Sequence, residues 1–111
     1  MAGDSVLSGL LNGEWKHLSF EPFREGVEVH YLRTIDPVWA LLRYRPGARV
    51  PRHRHTGLET IFVLEGMQSD DDGEYAAGTM ILNPAGTEHS VWSDSGCVVL
   101  IQWERPVLIL E

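Results

Sequence analysis

The stretch GARVPRHRHTGLETIFVLEG, at positions 47–66, combines turn residues with two histidines and a glutamate. The segment around the histidines is predicted to be extended, and side chains alternate between the two faces of an extended strand. His53 and His55 therefore point to the same face. Gly57 permits a bend, after which Glu59 can enter the following strand on that face. This stretch predicts two strands that bring His53, His55 and Glu59 towards one cavity.

On both sides of this stretch, short apolar runs alternate with turn residues. Turns are predicted at Asp36 and Pro37, Pro46 and Gly47, and at residues 69–73, 83–86 and 93–96. Strands are predicted at residues 27–35, 38–45, 50–55, 60–64, 79–82, 89–92, 97–103 and 107–110. Short strands separated by turns every roughly 8–12 residues favour an all-β fold, an antiparallel sandwich or a barrel, and closure would remove exposed edges.

Residues 1–26 are the least regular part of the sequence. A short helical turn is predicted at residues 5–11, closed by Asn12 and Gly13. Three apolar residues after it are expected to lie over the barrel: Trp15, Leu18 and Phe20.

Length and composition favour one globular domain. The chain has 111 residues, of which 43% are hydrophobic, and domains commonly contain roughly 100–150 residues. No internal repeat or linker divides it. We therefore predict a single domain over residues 1–111, consisting of an arm at 1–26 and a barrel at 27–111.

The net charge and the cysteine content restrict the binding partners of the protein and the cellular compartment in which it is expected. A formal net charge of −7 argues against nucleic acid as a partner, because binding to phosphates requires a basic face. Cys97 is the single cysteine, so no intramolecular disulfide can form. The sequence has no secretory signal pattern and no apolar window of the roughly 20 residues that a membrane helix needs. These features predict a cytoplasmic protein without a membrane partner.

His89 can join the first three residues only if the sheet curls, because it belongs to a distant strand. Three imidazoles and one carboxylate suit a divalent transition metal, whereas Ca²⁺ and Mg²⁺ prefer oxygen ligands. The predicted metal site is therefore His53, His55, Glu59 and His89, holding Fe²⁺, Zn²⁺, Mn²⁺ or Ni²⁺. An octahedral ion would keep two open positions for a bidentate substrate, or for a substrate and dioxygen. The other two histidines, His17 and His30, are interpreted as ordinary surface or core residues.

Two spaced motifs resemble those of the cupin superfamily. Gly47-x5-His53-x-His55-x3-Glu59-x6-Gly66 matches the first cupin motif, and Gly78-x5-Pro84-x-Gly86-x2-His89 matches the second. The resemblance covers residues 47–93. It implies an RmlC-like jelly-roll barrel, also called a double-stranded β-helix, in which the two histidines and the glutamate of the first motif and the histidine of the second bind the metal. Ser93 departs from the asparagine that usually ends the second motif, but this position is not a ligand.

The chain is also similar to the cupin domain of ChrR-type anti-sigma factors. The similarity lies in Gly57-Leu58-Glu59, Asp72-Gly73-Glu74-Tyr75 and Gly96-Cys97. In that family a zinc-binding helical domain that grips the sigma factor precedes the cupin domain, and nothing in this sequence resembles it. Anti-sigma activity is therefore not implied.

Related single-domain cupins include acetylacetone-type dioxygenases, which cleave a β-diketone at a ferrous site. The resemblance therefore predicts a metal-binding cupin that acts as a dioxygenase-type oxidoreductase on a small molecule. The alternative is a non-catalytic cupin that senses a metal or a ligand, so enzymatic activity stays open. No catalytic residue other than the metal ligands stands out. Glu88 adjoins His89 but should point away from it by alternation.

Other groups of residues have simpler interpretations. Five arginines between residues 43 and 54 form either an anion site or, as we favour for Arg52 and Arg54, outward-facing partners of acidic groups. The acidic residues 70–72 lack the spacing of a calcium loop and are interpreted as a solvated hairpin. Cys97 is expected to be a buried apolar residue. Six residues are considered for the mouth of the cavity, most of them as core or interface: Trp39, Tyr44, Phe62, Met80, Trp92 and Trp103.

The motifs that are absent exclude two classes of function, and the resemblance to cupins predicts an oligomeric state. Hydrolase and nucleotide-binding functions are excluded, because the chain has neither a Gly-x-Ser-x-Gly nucleophile motif nor a phosphate-binding glycine loop. A homodimer is expected from the habit of cupins. Residues 107–110 and 15–23 are the predicted interface.

Overall fold

A computed structural model of the protein describes residues 6–110, and its regular structure is almost entirely β-strand. Two short 3-10 helices, Leu10–Asn12 and Glu14–His17, precede the strands. The strands are β1 Glu21–Arg24, β2 Val27–Arg33, β3 Val38–Tyr44, β4 Ala48–Arg54, β5 Glu59–Asp70, β6 Gly73–Ala76, β7 Met80–Asn83, β8 Glu88–Ser93, β9 Cys97–Trp103 and β10 Leu108–Ile109. Neither helix has the length or the apolar character needed to cross a membrane.

The strands form two sheets that share β5, and every pairing among the described strands is antiparallel. The first sheet runs β1-β2-β3-β9-β5-β7, and the second runs β10-β4-β8-β5-β6. The first part of β5 pairs with β9 and β7, and its last residues pair with β6 and β8. The curled sheet forms the predicted jelly-roll barrel.

Gly66 lies at the corner where β5 passes from one sheet to the other. Its φ angle is +77°, and a Cβ atom added there would collide with the carbonyl oxygen of Gly96. A register shift between Val63 and Glu65 adds a bulge just before this corner. Strands commonly change sheets at such bulges and bends. The predicted strand at residues 60–64 therefore does not end at Gly66 but continues to Asp70 as part of β5.

Two groups of apolar residues fill opposite faces of the first sheet. The interior group includes Val29, Leu42 and Val99. The second group packs Trp15 against Leu41 on the outer face. Leu18 and Phe20 join this second group, so the prediction that these N-terminal residues lie over the barrel is confirmed. β3 and β9 are apolar on both faces because each separates the two groups.

Apart from the extension of β5 to Asp70, each predicted strand agrees with an observed one within two residues at either end. β9 has the predicted bounds, whereas β1 and β6 were not predicted from the sequence. β1 lies inside the segment predicted to be irregular, so the boundary at residue 26 between arm and barrel remains a prediction. The predicted helical turn at residues 5–11 begins outside the described residues, and helical structure is found slightly later, at Leu10–Asn12.

Candidate metal centre

The four predicted ligand residues meet inside the barrel. His53 lies near the end of β4, Glu59 begins β5 and His89 lies on β8, while His55 directly follows β4. One potential ligand atom from each residue lies within 4.8 Å of the corresponding atoms of the other three. All four side chains are buried, with at most 6% of their surface exposed. The prediction that these residues converge is confirmed.

A bulge in β4 turns His53 towards this cluster. His53 pairs with His89 and Val50 pairs with Val91, so β4 has one more residue than β8 between these two pairs. In a regular strand, residues three positions apart, such as Val50 and His53, point to opposite faces, and the extra residue allows both to face the interior. Pro51 lies within the bulge, where its missing N–H group costs no ladder hydrogen bond.

Hydrogen bonds at Nδ1 orient the rings of His53 and His55. His53 Nδ1 donates to the carbonyl oxygen of Pro51 at 2.8 Å. His55 Nδ1 lies 2.9 Å from the hydroxyl oxygen of Thr87, and that hydroxyl donates its own proton to the carbonyl oxygen of Pro84. His55 Nδ1 must therefore be the donor to Thr87. Both rings carry their proton on Nδ1 and present the Nε2 lone pair to the centre.

Two of the Nε2 atoms lack the partner that a buried polar atom normally has. Among residues 6–110, Nε2 of His55 and Nε2 of His89 are fully buried without any hydrogen bond. His55 Nε2 lies 3.2 Å from Oε1 of Glu59, but not in hydrogen-bonding geometry. Burying a polar atom without a partner costs about 1–3 kcal/mol, so such atoms usually mark an ion or a functional site.

Glu59 is held in place through both carboxylate oxygens. Oε1 accepts a hydrogen bond from the side-chain amide of Asn83 at 2.9 Å, and Oε2 accepts one from the indole N–H of Trp103 at 2.8 Å. Carboxylate ligands of metals are commonly fixed by such outer hydrogen bonds.

The protonation states of the cluster suit a cation. Burial lowers the pKa of His53 and of His89, because an imidazolium inside the barrel loses hydration. Burial by itself would raise the pKa of Glu59, but contact with His55 and the hydrogen bond from Asn83 outweigh it and hold the pKa below its usual value. Neutral imidazoles and an ionised carboxylate are the forms that bind metals. The four residues therefore fit a divalent transition-metal ion.

Asp70 is a correction to the sequence analysis, which placed it in a solvated hairpin. The side chain is buried, and Oδ2 lies 3.4 Å from Nδ1 of His89. Oδ1 accepts hydrogen bonds from the backbone N–H groups of Asp72 and Gly73 and from the hydroxyl of Tyr75. Asp70 thus links the β5–β6 turn to the ring of His89, a role that no sequence motif marked.

Replacing Asp70 with asparagine is expected to weaken metal binding by roughly 10–100-fold without unfolding the protein. The remaining oxygen can still accept from the turn, but the new NH2 group would replace the oxygen that lies 3.4 Å from Nδ1 of His89 and could not accept a hydrogen bond from that ring. Competition with a chelator measures the affinity, and Asp72→Asn, which changes an exposed carboxylate of the same turn, is the control. Equal affinities in the two variants would contradict this role of Asp70.

A cavity of about 240 Å³ adjoins the cluster and reaches two of its members, His53 and Glu59. Most of its wall is apolar, and its remaining polar side chains are Arg24, Tyr44 and Gln68, together with the indole of Trp103. Of the six residues considered for the cavity mouth, Tyr44 and Trp103 line this cavity. The others lie elsewhere: Trp39 and Phe62 in the outer group, Trp92 beneath Arg49, and Met80 at the surface.

The arginines beside the histidines face outward, as predicted. Arg52 pairs with Asp71 at 2.8 Å, and Arg54 pairs with Glu88 at 2.7 Å. Glu88 therefore points away from the centre, also as predicted. Arg43 pairs with Glu28 at 2.9 Å, so three of the five clustered arginines are neutralised by carboxylates and do not form an anion site.

Cys97 is buried, as predicted, and burial raises the pKa of its thiol to about 11. The thiol therefore stays protonated, and a protonated thiol is a poor nucleophile.

The supporting residues Asn83, Thr87 and Asp70 were not found from the sequence. Asn83 and Thr87 flank the predicted turn with Pro84 and Gly86, but a turn residue does not reveal which histidine or carboxylate it will contact. Arg24 lies on the unpredicted strand β1, so nothing in the sequence placed it beside the cavity.

Comparison with known protein families gives one match over most of the chain. A model of the ChrR cupin-like domain matches residues 11–105. The anti-sigma-E factor ChrR of Cereibacter sphaeroides is 32% identical over 85 residues, which cover 74% of this chain and 40% of that protein. The chain thus spans less than half the length of this curated relative.

Solved structures share the same arrangement of strands. An RmlC-like cupin protein from Ralstonia eutropha is 25% identical, with a TM-score of 0.77 over 100% of this chain and 77% of that one. An acetylacetone dioxygenase from Acinetobacter johnsonii is 16% identical, with a TM-score of 0.77 over 83% of this chain and 72% of that one. At this identity, the likeness to the dioxygenase shows the fold alone.

Proposed function

This chain belongs to the ChrR cupin-like family. We propose that it is a metal-dependent oxidoreductase of the dioxygenase type that acts on a small molecule. The observation that carries the proposal is the pair of buried, unpartnered Nε2 atoms of His55 and His89. They lie beside Glu59 and next to a cavity large enough for a small ligand.

His53, His55, Glu59 and His89 are the proposed ligands of Fe²⁺, Zn²⁺, Mn²⁺ or Ni²⁺. Such an ion, when bound, supplies Lewis acidity towards the oxygens of a substrate and, if it is a redox metal, reactivity towards dioxygen.

The chain's own residues orient the ligands and shape the space beside them. Asn83 and Trp103 fix Glu59, while Thr87 fixes His55. The apolar wall of the cavity excludes water from a substrate that lies against His53 and Glu59.

A non-catalytic cupin that senses a metal or a ligand is the second candidate. The 32% identical relative is an anti-sigma-E factor, although the chain spans only 40% of it. Among residues 6–110, the cavity is lined by no carboxylate or imidazole other than Glu59 and His53. A separate carboxylate or imidazole that could act as a general acid or base is therefore missing from its wall, and burial raises the pKa of the Tyr44 phenol, so Tyr44 is a poor general base. This favours a sensor over any reaction that needs such a base.

Metal content and oxygen consumption together distinguish the two candidates. Elemental analysis of the purified protein is expected to find about one metal ion per chain. After anaerobic loading with ferrous iron, oxygen uptake is expected to match the loss of a β-diketone or of another bidentate substrate in a panel. His17→Ala, which removes an exposed histidine outside the cluster, should behave like the wild type. Tightly bound zinc with no oxygen uptake would contradict the dioxygenase proposal.

The cytoplasmic location and the homodimer remain predictions. A buried, unbridged Cys97 suits a reducing compartment. Of the predicted interface, Trp15 is buried within its own chain and cannot contribute, whereas Phe23 and Leu108 stay 39% and 49% exposed. Light scattering after size-exclusion chromatography measures the oligomeric state.

A further inference from the structure

A bulge in β1 places two consecutive residues of this strand in the cavity wall. Pro22 pairs with Glu28 and Arg24 pairs with Val27, so Phe23 is an extra residue without a partner on β2. Consecutive residues of a regular strand face opposite sides, but here Phe23 and Arg24 both line the cavity. Bulges commonly redirect side chains in this way next to functional sites.

Arg24 brings a charge into this wall without an ion-pair partner among the described residues. Arg24 is half-buried, and no carboxylate of residues 6–110 forms an ion pair with it, in contrast to Arg43, Arg52 and Arg54. The guanidinium is close enough to His53 to act on it electrostatically, although burial has the larger influence on the pKa of that imidazole. A half-buried cation beside an apolar wall is costly unless an anion lies next to it.

The rest of the cavity limits the size and polarity of that anion. Ligand sites commonly have volumes of roughly 300–1,000 Å³, so about 240 Å³ suits a small molecule. The wall includes the aliphatic residues Leu42, Ile61 and Ile101, and Phe23 stacks on the indole of Trp103 at a centroid distance of 6.0 Å. The body of the ligand should therefore be apolar.

We propose that Arg24 binds the carboxylate of a small, apolar monocarboxylic acid whose hydrocarbon part fills this cavity beside His53 and Glu59. The planar guanidinium matches a carboxylate through two parallel hydrogen bonds. A phosphate dianion would need further cationic donors, and Arg24 is the only one that lines the cavity among the described residues. This inference rests on the proposed function, since it names the substrate class of the same site.

Phenylacetate and phenylacetamide test the proposal, because they share size and shape but differ in charge. Calorimetric titration of the metal-loaded wild type is expected to show tighter binding of phenylacetate. In Arg24→Gln, the ratio of the two affinities is expected to fall by about tenfold or more, as the loss of a charge-assisted hydrogen bond predicts. Arg45→Gln removes an exposed arginine outside the cavity and should keep the wild-type ratio. Arg24→Met, which keeps the aliphatic stem, replaces Arg24→Gln if the latter does not fold.

An equal ratio in the wild type and in the Arg24 variant, or the absence of phenylacetate binding to the wild type, would overturn the proposal. Metal content is measured separately for every variant. A wild type without metal would contradict the proposed function, yet the difference between the two ligands would still report on Arg24.

Discussion

His89→Ala is expected to abolish stable metal binding. The substitution removes one of four ligands, a larger change than the loss of an outer hydrogen-bond partner, which commonly costs 10–100-fold in metal affinity. It also leaves Asp70 facing an empty space instead of the ring that it contacts at 3.4 Å. Elemental analysis after dialysis measures the bound metal directly.

Thermal unfolding gives a second measurement of the same loss. A ligand at 100 times its Kd stabilises the folded state by about 2.7 kcal/mol, which corresponds to a rise in Tm of roughly 10–20 °C for a domain of this size. We expect this rise for the wild type and for His17→Ala, and no rise for His89→Ala. Retention of metal by both His89→Ala and His53→Ala would refute the assignment of the metal site.

Gly66→Ala is expected to lower the free energy of unfolding by about 2–5 kcal/mol. The φ angle of +77° is unfavourable for alanine, and the added methyl group would meet the carbonyl of Gly96 and lie 2.9 Å from Cα of Cys97. The clash involves backbone atoms of Gly96 and of Cys97 at the start of β9, so no side-chain rotation relieves it. Denaturation with urea measures the loss.

Gly78→Ala is the matched control for this effect. Gly78 also has a positive φ angle, of +94°, but nothing lies within 4 Å of an added Cβ atom. Only the backbone strain of about 1–2 kcal/mol is expected there. Equal losses in the two variants would mean that strain alone, and not the close approach of β5 to β9, accounts for the requirement for glycine at position 66.

Local patterns were sufficient to predict an antiparallel sandwich or barrel, whereas the jelly roll was implied by the resemblance of the two motifs to those of cupins. Alternation along β4 placed His53 and His55 on one face, and the second motif identified His89 as their partner. The outward direction of Arg52 and Arg54 follows from the same alternation. Turn residues divided the chain into strands, as at Cys97–Trp103, whose bounds agree with the structure.

The surroundings of the cluster could not be predicted, because they depend on how distant strands pair. Asp70 lies in a segment, residues 69–73, that has the composition of an exposed hairpin. Only the pairing of Asp70 with Val91 on β8 brings it next to His89. Arg24 belongs to a four-residue strand with a proline, and proline weakens any prediction of a strand. Alternation alone also places Val50 and His53 on opposite faces, since it carries no information about bulges.

The bulge at Pro51 and Arg52 has a practical meaning for protein engineering. A segment that carries Val50 and His53 would place one of them on the wrong face if it were transplanted residue for residue onto a host strand that lacks the additional residue opposite Ser90. In such a host, either Val50 or His53 would point to solvent. The metal site would then lose either a residue of its cavity wall or a ligand. A minimal graft must therefore include the irregular backbone between Val50 and His53 as well as the coordinating groups.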